Sequence, residues 1–271
     1  MSILLLSRIS PFRNSRRGAP ERQRAYAIGD IHGRLDLLDE LLGGIEADNQ
    51  SRTPAKVTIV FLGDLVDRGP QSAQVVERLR RYRPSFAKTV FLMGNHEEVL
   101  LRIVGGETGV ITDWLRFGGA ECVRSYGIDP ADLQYRNPSD VPRVLKQAIP
   151  KEHLKFLSGF VDTASFGNYL FVHAGIRPGV SLSHQLPQDL RWIRLPFLED
   201  ETDHGRIVVH GHTITESVDV RANRIGVDTG AYRTGVLTAL GVEGDERWFL
   251  QTGPLGQSRP EPGRVANLQH A

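Results

Sequence analysis

Five apolar runs in this chain each lead into a short segment that sets Asp, Asn or His close to glycine. Ala25 to Ile28 leads into Gly29-Asp30-Ile31-His32-Gly33, and Val57 to Leu62 into Gly63-Asp64-Leu65-Val66-Asp67-Arg68-Gly69. Val90 to Met93 leads into Gly94-Asn95-His96-Glu97, Tyr169 to Val172 into His173-Ala174-Gly175, and Ile207 to Val209 into His210-Gly211-His212-Thr213. Short β-branched runs of this kind read as buried strands. In open α/β sheets the ligand site lies beyond the carboxyl ends of the strands. The five segments are therefore expected to converge on one place, which restricts the chain to an α/β architecture built around it.

The side chains gathered there suit divalent metal. Carboxylate, amide oxygen and imidazole without thiolate favour Mn, Fe or Zn over a soft-metal site. Two such ions about 3.5–4 Å apart can clamp an in-line displacement at phosphorus. One carboxylate must bridge them, and Asp64 lies in the middle segment, where bridging is easiest. Each segment taken singly has a plainer account. Gly-Asp is turn chemistry, Asn95 before a Glu-rich start suits a helix cap, and an isolated His173 suits a satisfied core histidine. Five such coincidences in one ordered set are a poor account of the whole.

Between the segments the periodicity alternates. Leu35, Leu37, Leu38, Leu41, Leu42 and Ile45 mark an amphipathic helix after the first strand. Ser72 to Tyr82 marks a second, ended before Pro84. Thr89 to Met93 is a third strand, followed by a helix from Glu97 to Val104. This βαβαβα order predicts a parallel sheet with right-handed crossovers. Residues 105–160 read instead as short helices: Thr112 to Phe117, Gly119 to Tyr126, Val141 to Ile149 and Lys151 to Leu157. Beyond them the strand-rich runs 161–165, 169–172, 207–209, 218–220, 224–227, 236–242 and 247–250 are expected to form a second, mixed sheet.

The phrases GDIHG, GDLVDRG, GNHE, HAG and GHT, in this order from about Arg24 to about Gln251, resemble the PPP family of metallophosphatases, and most closely its bacterial and phage serine/threonine protein phosphatase branch. The resemblance implies a four-layer α/β/β/α sandwich in which the helical insertion at 105–160, with its Trp114-Leu115-Arg116-Phe117-Gly118-Gly119 phrase, covers one side of the metal cleft. It also implies two divalent metals, with Mn first and Fe or Zn as alternatives. Asp30, His32 and Asp64 would hold one, and Asp64, Asn95, His173 and His212 the other. A hydroxide between the metals would attack phosphorus without a phosphoenzyme intermediate. His96 would protonate the leaving group, oriented by Asp67. Asn95, Arg68 and an arginine from Trp192-Ile193-Arg194 would bind the phosphate, with Arg191 and Arg177 as alternatives to Arg194. His210 falls outside the ligand pattern and is expected to support it from behind.

The resembling branches differ in substrate. Hydrolases of symmetrical dinucleoside tetraphosphates share the metal motifs but tend to lack the aspartate of Asp-Arg-Gly and to carry GNHD. Asp67 and Glu97 here favour a phosphorylated protein as substrate. A catalytically inactive binding module on the same fold is the third reading, disfavoured because every expected ligand is present.

Composition adds limits. Lys and Arg total 33 against 32 Asp and Glu, so no global charge points to nucleic acid or a membrane surface. The single cysteine, Cys122, precludes an intrachain disulfide and fits a reducing, cytoplasmic setting. Residues 1–23 read as a flexible basic arm, 24–252 as the catalytic domain and 253–271 as a disordered Gly/Pro-rich tail. A monomer is expected.

Overall fold

A computed structural model describes residues 4–9 and 18–253. In chain order it runs β1 (Leu4–Ile9), β2 (Gln23–Ile28), α1 (Leu35–Ser51), β3 (Lys56–Phe61), α2 (Ser72–Arg80), β4 (Ala87–Phe91) and α3 (Asn95–Gly105). The insertion follows: α4 (Ile111–Trp114), a wider helical turn over Leu115–Gly119, α5 (Ala120–Ser125), α6 (Pro130–Gln134), α7 (Val141–Ala148) and α8 (Lys151–Leu157). The remainder is β5 (Thr163–Phe166), β6 (Tyr169–Val172), α9 (Pro187–Trp192), β7 (Ile207–His210), β8 (Asp219–Val220), β9 (Arg224–Gly226), α10 (Ala231–Thr234), β10 (Thr238–Glu243) and β11 (Glu246–Gln251).

Two sheets result, in the orders β1-β11-β10-β2-β3-β4 and β5-β6-β7-β9-β8. The expected parallel unit is present as β2-β3-β4, and a second parallel set, β6-β7-β9, carries the later segments. Period-2 alternation sends the side chains of each strand to opposite faces. Ala25, Ala27, Val60, Leu240 and Val242 of the first sheet meet Tyr169, Phe171, Ile207, Val209 and Ile225 of the second in one buried cluster. On the outer face Tyr26, Ile28, Ile59 and Phe61 pack with Leu38, Leu41, Val75, Val76 and Leu100 of α1, α2 and α3. Leu170, Val172 and Val208 pack against Leu190 of α9, with Ile193 and Phe197 just beyond it. These are the four layers of an α/β/β/α sandwich.

Two expectations change. The strands after residue 160 do not share one sheet, because β10 and β11 join the first. β10 lies antiparallel on β2 with Ala239 opposite Ile28, and the Gly29 amide donates to the Thr238 carbonyl at 3.0 Å. Alternating apolar residues satisfy any sheet covered on both faces, so the pattern alone does not choose between two. Within the basic arm, Leu4–Ile9 is a strand paired antiparallel with β11 and Gln23 already begins β2; residues 1–3, 10–17 and 254–271, which hold other parts of the arm and nearly all of the tail, lie outside the described residues. Among the described residues no helix is long and apolar enough to cross a membrane.

Candidate metal centre

The parallel strands deliver their carboxyl-terminal residues to one end of the sandwich, and the loops there bend sharply. His32, Asp64, Asp67, Arg68 and His212 all adopt positive φ, between 46° and 71°. Side chains other than glycine rarely adopt this conformation, and each such residue costs on the order of 1–3 kcal/mol. The surroundings hold them in place. Glu97, fully buried at the start of α3, accepts the amides of Asp64 at 2.8 Å, Leu65 at 2.7 Å and Val66 at 3.2 Å, as well as that of Gly94. Burial and the charge of Asp64 push the Glu97 carboxyl up to about 8.

Asp64 stands at the middle. One of its oxygens, Oδ2, lies 3.5 Å from His32 Nε2 and 3.9 Å from His96 Nε2. The other, Oδ1, lies 3.5 Å from His173 Nε2 and accepts the His96 amide at 3.1 Å. The carboxylate therefore faces two groups at once: His32, Asp64 and His96 on one side, and Asp64, His173 and His212 on the other. In each group the potential ligand atoms all lie within 4.8 Å of one another. Burial alone would push the Asp64 carboxyl up, but the imidazoles around it hold it below the usual carboxylate range.

The imidazoles are set as ligands would be. His32 Nδ1 contacts the Val66 carbonyl at 2.7 Å and His173 Nδ1 the Leu62 carbonyl at 2.8 Å. A carbonyl accepts only from N–H, so Nε2 of both rings is left with a lone pair toward the cluster. His32 Nε2 and His212 Nε2 are buried without a hydrogen-bond partner among the described residues. Burial pushes His32 and His173 down, and His212 down to about 2. Asn95 is the first residue of α3 with Gly94 in the capping position, so the cap expected of it falls one residue earlier. Its Oδ1 lies 2.9 Å from both His173 Nε2 and His212 Nδ1. Buried oxygens and imidazole nitrogens with unspent lone pairs form a donor set that fits two divalent ions of the Mn, Fe or Zn kind.

Asp30 stands next to these groups, close enough to Asp64 for the two carboxylates to interact. It belongs to neither group of mutually close atoms; its carboxylate accepts the His212 amide at 3.1 and 3.2 Å. Gly211 lets it do so, since a Cβ there would collide with Asp30 Oδ1. Burial and the neighbouring carboxylates of Asp228 and Asp64 push Asp30 well up. Asp228 went unnoticed in the sequence. It stands two residues beyond the end of β9 and precedes Thr229-Gly230, a strand-end pattern like that of the other five segments, which is the available signal. Its Oδ1 accepts the Gly230 amide, its carboxyl interacts with that of Asp30, and burial pushes it up to about 6.

His96 and Asp67 form the second feature of the site. His96 Nδ1 donates to Asp67 Oδ2 at 2.6 Å, and the Trp114 indole donates to the same oxygen at 3.0 Å. Burial would lower the imidazole, but the carboxylates of Asp64 and Asp67 prevail and raise it. The insertion thus reaches the site through Trp114, and again through Gly118, whose carbonyl accepts the Arg68 amide at 3.0 Å. The Arg68 guanidinium is half-buried 4.9 Å above the Tyr232 ring, and that ring meets His32 edge-on. Arg194 is exposed and makes no ion pair among the described residues, and its charge helps to lower His173 and His212. Arg191 is instead paired with Asp162 and Glu98, and Arg177 with Asp189. His210 lies outside both groups, its ring against Phe197 and its Nδ1 on the Gly211 carbonyl.

The family profile of calcineurin-like phosphoesterases matches residues 24–237. The asymmetrical bis(5'-nucleosyl)-tetraphosphatase PrpE of Anoxybacillus flavithermus is 30% identical over 79% of this chain and 88% of its own length. The symmetrical bis(5'-nucleosyl)-tetraphosphatase of Methylococcus capsulatus is 26% identical over 87% and 98%. Serine/threonine-protein phosphatase 2 of Escherichia coli is 25% identical over 79% and 90%. Among solved structures, a cold-active protein tyrosine phosphatase superposes with a TM-score of 0.54 at 18% identity, covering 90% of this chain and 84% of that one. The two-sheet sandwich, the strand-end ligand set and the profile match agree: the chain belongs to the calcineurin-like phosphoesterase family.

Proposed function

We propose that this metallophosphoesterase hydrolyses phosphoserine and phosphothreonine in proteins. The observation that carries the reading is the His96–Asp67 pair at 2.6 Å, supported by Trp114. A serine or threonine alkoxide is a poor leaving group and must be protonated as it departs. Asp67 fixes Nδ1 as the donor toward itself, so Nε2, facing the Asp64 cluster, carries the transferable proton. General acid catalysis of this kind contributes roughly 10²–10⁴ in rate.

Asp30, His32, Asp64, Asn95, His173 and His212 would hold two divalent metals, Mn first among them. Such ions supply an activated water and neutralise phosphate charge. Arg68 and Arg194 would bind the phosphate oxygens, where planar guanidinium geometry suits two contacts at once. Asn95, between the imidazoles and the α3 N-terminus, would help to position it. Nothing in this scheme distinguishes tyrosine esters by charge alone, so phosphotyrosine remains a secondary substrate.

The names of the relatives favour a second reading, hydrolysis of dinucleoside tetraphosphates. Nucleotide leaving groups are weak bases and gain less from a supported acid, which is why the Asp67 pair favours the protein substrate. The test compares kcat/KM for phosphoserine, phosphothreonine and phosphotyrosine peptides with that for diadenosine tetraphosphate, with Mn supplied. Phosphopeptides are expected to be preferred. A large preference for diadenosine tetraphosphate overturns the proposal in favour of the second reading, and no turnover of any phosphate ester leaves the inactive binding module.

A further inference from the structure

The insertion carries a cavity that the proposed chemistry does not use. It measures about 370 Å³ and is lined by Ile111, Leu115, Leu133 and Val141, with Arg116 and Arg136 at its walls. Ile111, Leu133 and Val141 are buried, so the floor is apolar. The two arginines differ from their neighbours. Arg124 and Arg143 of the same insertion pair with Glu121 and Asp140. Arg116 and Arg136 make no ion pair among the described residues; Arg136 reaches only the Asp132 carbonyl, and Arg116 lies 5.8 Å from the Phe117 ring.

In the chain an exposed aromatic follows Arg116 and another precedes Arg136. Phe117 is 61% exposed and Tyr135 is 86% exposed. Arginines beside an apolar pocket, with exposed aromatics next to them in the chain, are residue types enriched in protein-binding surfaces. The pocket also adjoins the site. Ile111 and Leu115, four residues apart, line it, while Trp114 and Gly118, also four apart, contact Asp67 and Arg68.

We propose that this pocket docks the flank of the phosphorylated polypeptide, taking an aliphatic side chain on its apolar floor and acidic residues on Arg116 and Arg136. The inference rests on the protein phosphatase reading and narrows it to substrates whose phosphoresidue lies in an acidic segment with an apolar anchor. Charge complementarity selects this occupant, because two unneutralised guanidinium groups beside an apolar pocket repel a basic segment and attract an acidic one.

The test uses phosphoserine peptides of equal length whose flanks are Glu-rich with one Leu, Ala-only, or Lys-rich, together with an aryl phosphate that has no flank. The full chain is expected to show a KM at least about tenfold lower for the Glu/Leu flank than for the Ala flank, the size of one hot-spot anchor. In the Arg116→Ala/Arg136→Ala variant that ratio should collapse toward one, while the aryl phosphate ratio of variant to wild type stays far nearer to unity. Leu133→Ala should weaken only the Leu-bearing peptide relative to its Leu→Ala counterpart. Equal KM values across flanks in the wild type, or equal losses on peptide and aryl phosphate in the arginine variant, overturn the docking proposal and leave the phosphatase reading standing. Failure to turn over any phosphopeptide while diadenosine tetraphosphate is cleaved overturns both.

Discussion

Asp67→Asn isolates the charge behind the proposed acid. Asp67 sits at φ 71°, and asparagine is among the few side chains that tolerate this region, so the turn is retained. The Asn carboxamide oxygen can still accept from His96 and Trp114, the two partners of Asp67 Oδ2. What disappears is the negative charge. A hydrogen bond to a charged partner contributes about 1.5–3 kcal/mol and a neutral one about 0.5–1.5, so the protonated imidazole loses roughly 1–1.5 kcal/mol. At about 1.4 kcal/mol per factor of ten, the population of protonated His96 above its pKa falls close to tenfold. The sign follows from the raised His96: the acid form is present below its pKa and is lost as pH rises through it, so removing the charge moves the basic limb of the kcat profile to lower pH. The assay is kcat against pH for a phosphoserine peptide and for an aryl phosphate with an acidic phenol. Near and above neutrality the peptide should lose about tenfold and the aryl ester far less, because its leaving group needs little protonation. An unmoved basic limb with equal losses on both esters would refute the acid assignment.

Two further outcomes follow from the geometry. Asp64→Asn should remove most activity and weaken both metals together, since the two oxygens face different groups; metal analysis of the purified variant that finds two tightly held ions and near wild-type turnover would contradict the bridging role. Gly118→Ala should lower Tm by a few degrees and raise KM for an aryl phosphate, because φ there is +121° and a Cβ would sit 2.6 Å from Arg68 Cγ, a strain on the order of 1–2 kcal/mol; an unchanged KM would show that the Gly118 contact does not position Arg68.

The local features of the site were legible because they are local. Strand-end segments such as Gly63-Asp64 announce themselves within seven residues, and their convergence follows from the parallel sheet alone. Glu97 was read only as a family discriminator and a helix start, because a buried carboxylate that gathers four amides looks, in sequence, like an ordinary first-turn glutamate. Asp228 was missed because Val227 closes a run of only a few residues. The partnership of Trp114 with Asp67 spans 47 positions and has no periodic signature. Sheet membership of 238–251 depends on which open edge the hairpin meets, a tertiary choice that alternation cannot express.

The docking of β10 on β2 has a consequence for biosynthesis. The nascent chain completes β2, β3 and β4 early, and these can pair through neighbouring crossovers. The free edge of β2, apolar on both faces, then stands open until residues 238–243 leave the ribosome more than two hundred positions later. An unpaired central edge is a template for intermolecular strand addition, and contacts so distant in sequence form slowly. The β10–β11 hairpin is thus the closing piece of the first sheet, and through the Gly29–Thr238 hydrogen bond it anchors the loop that bears Asp30 and His32.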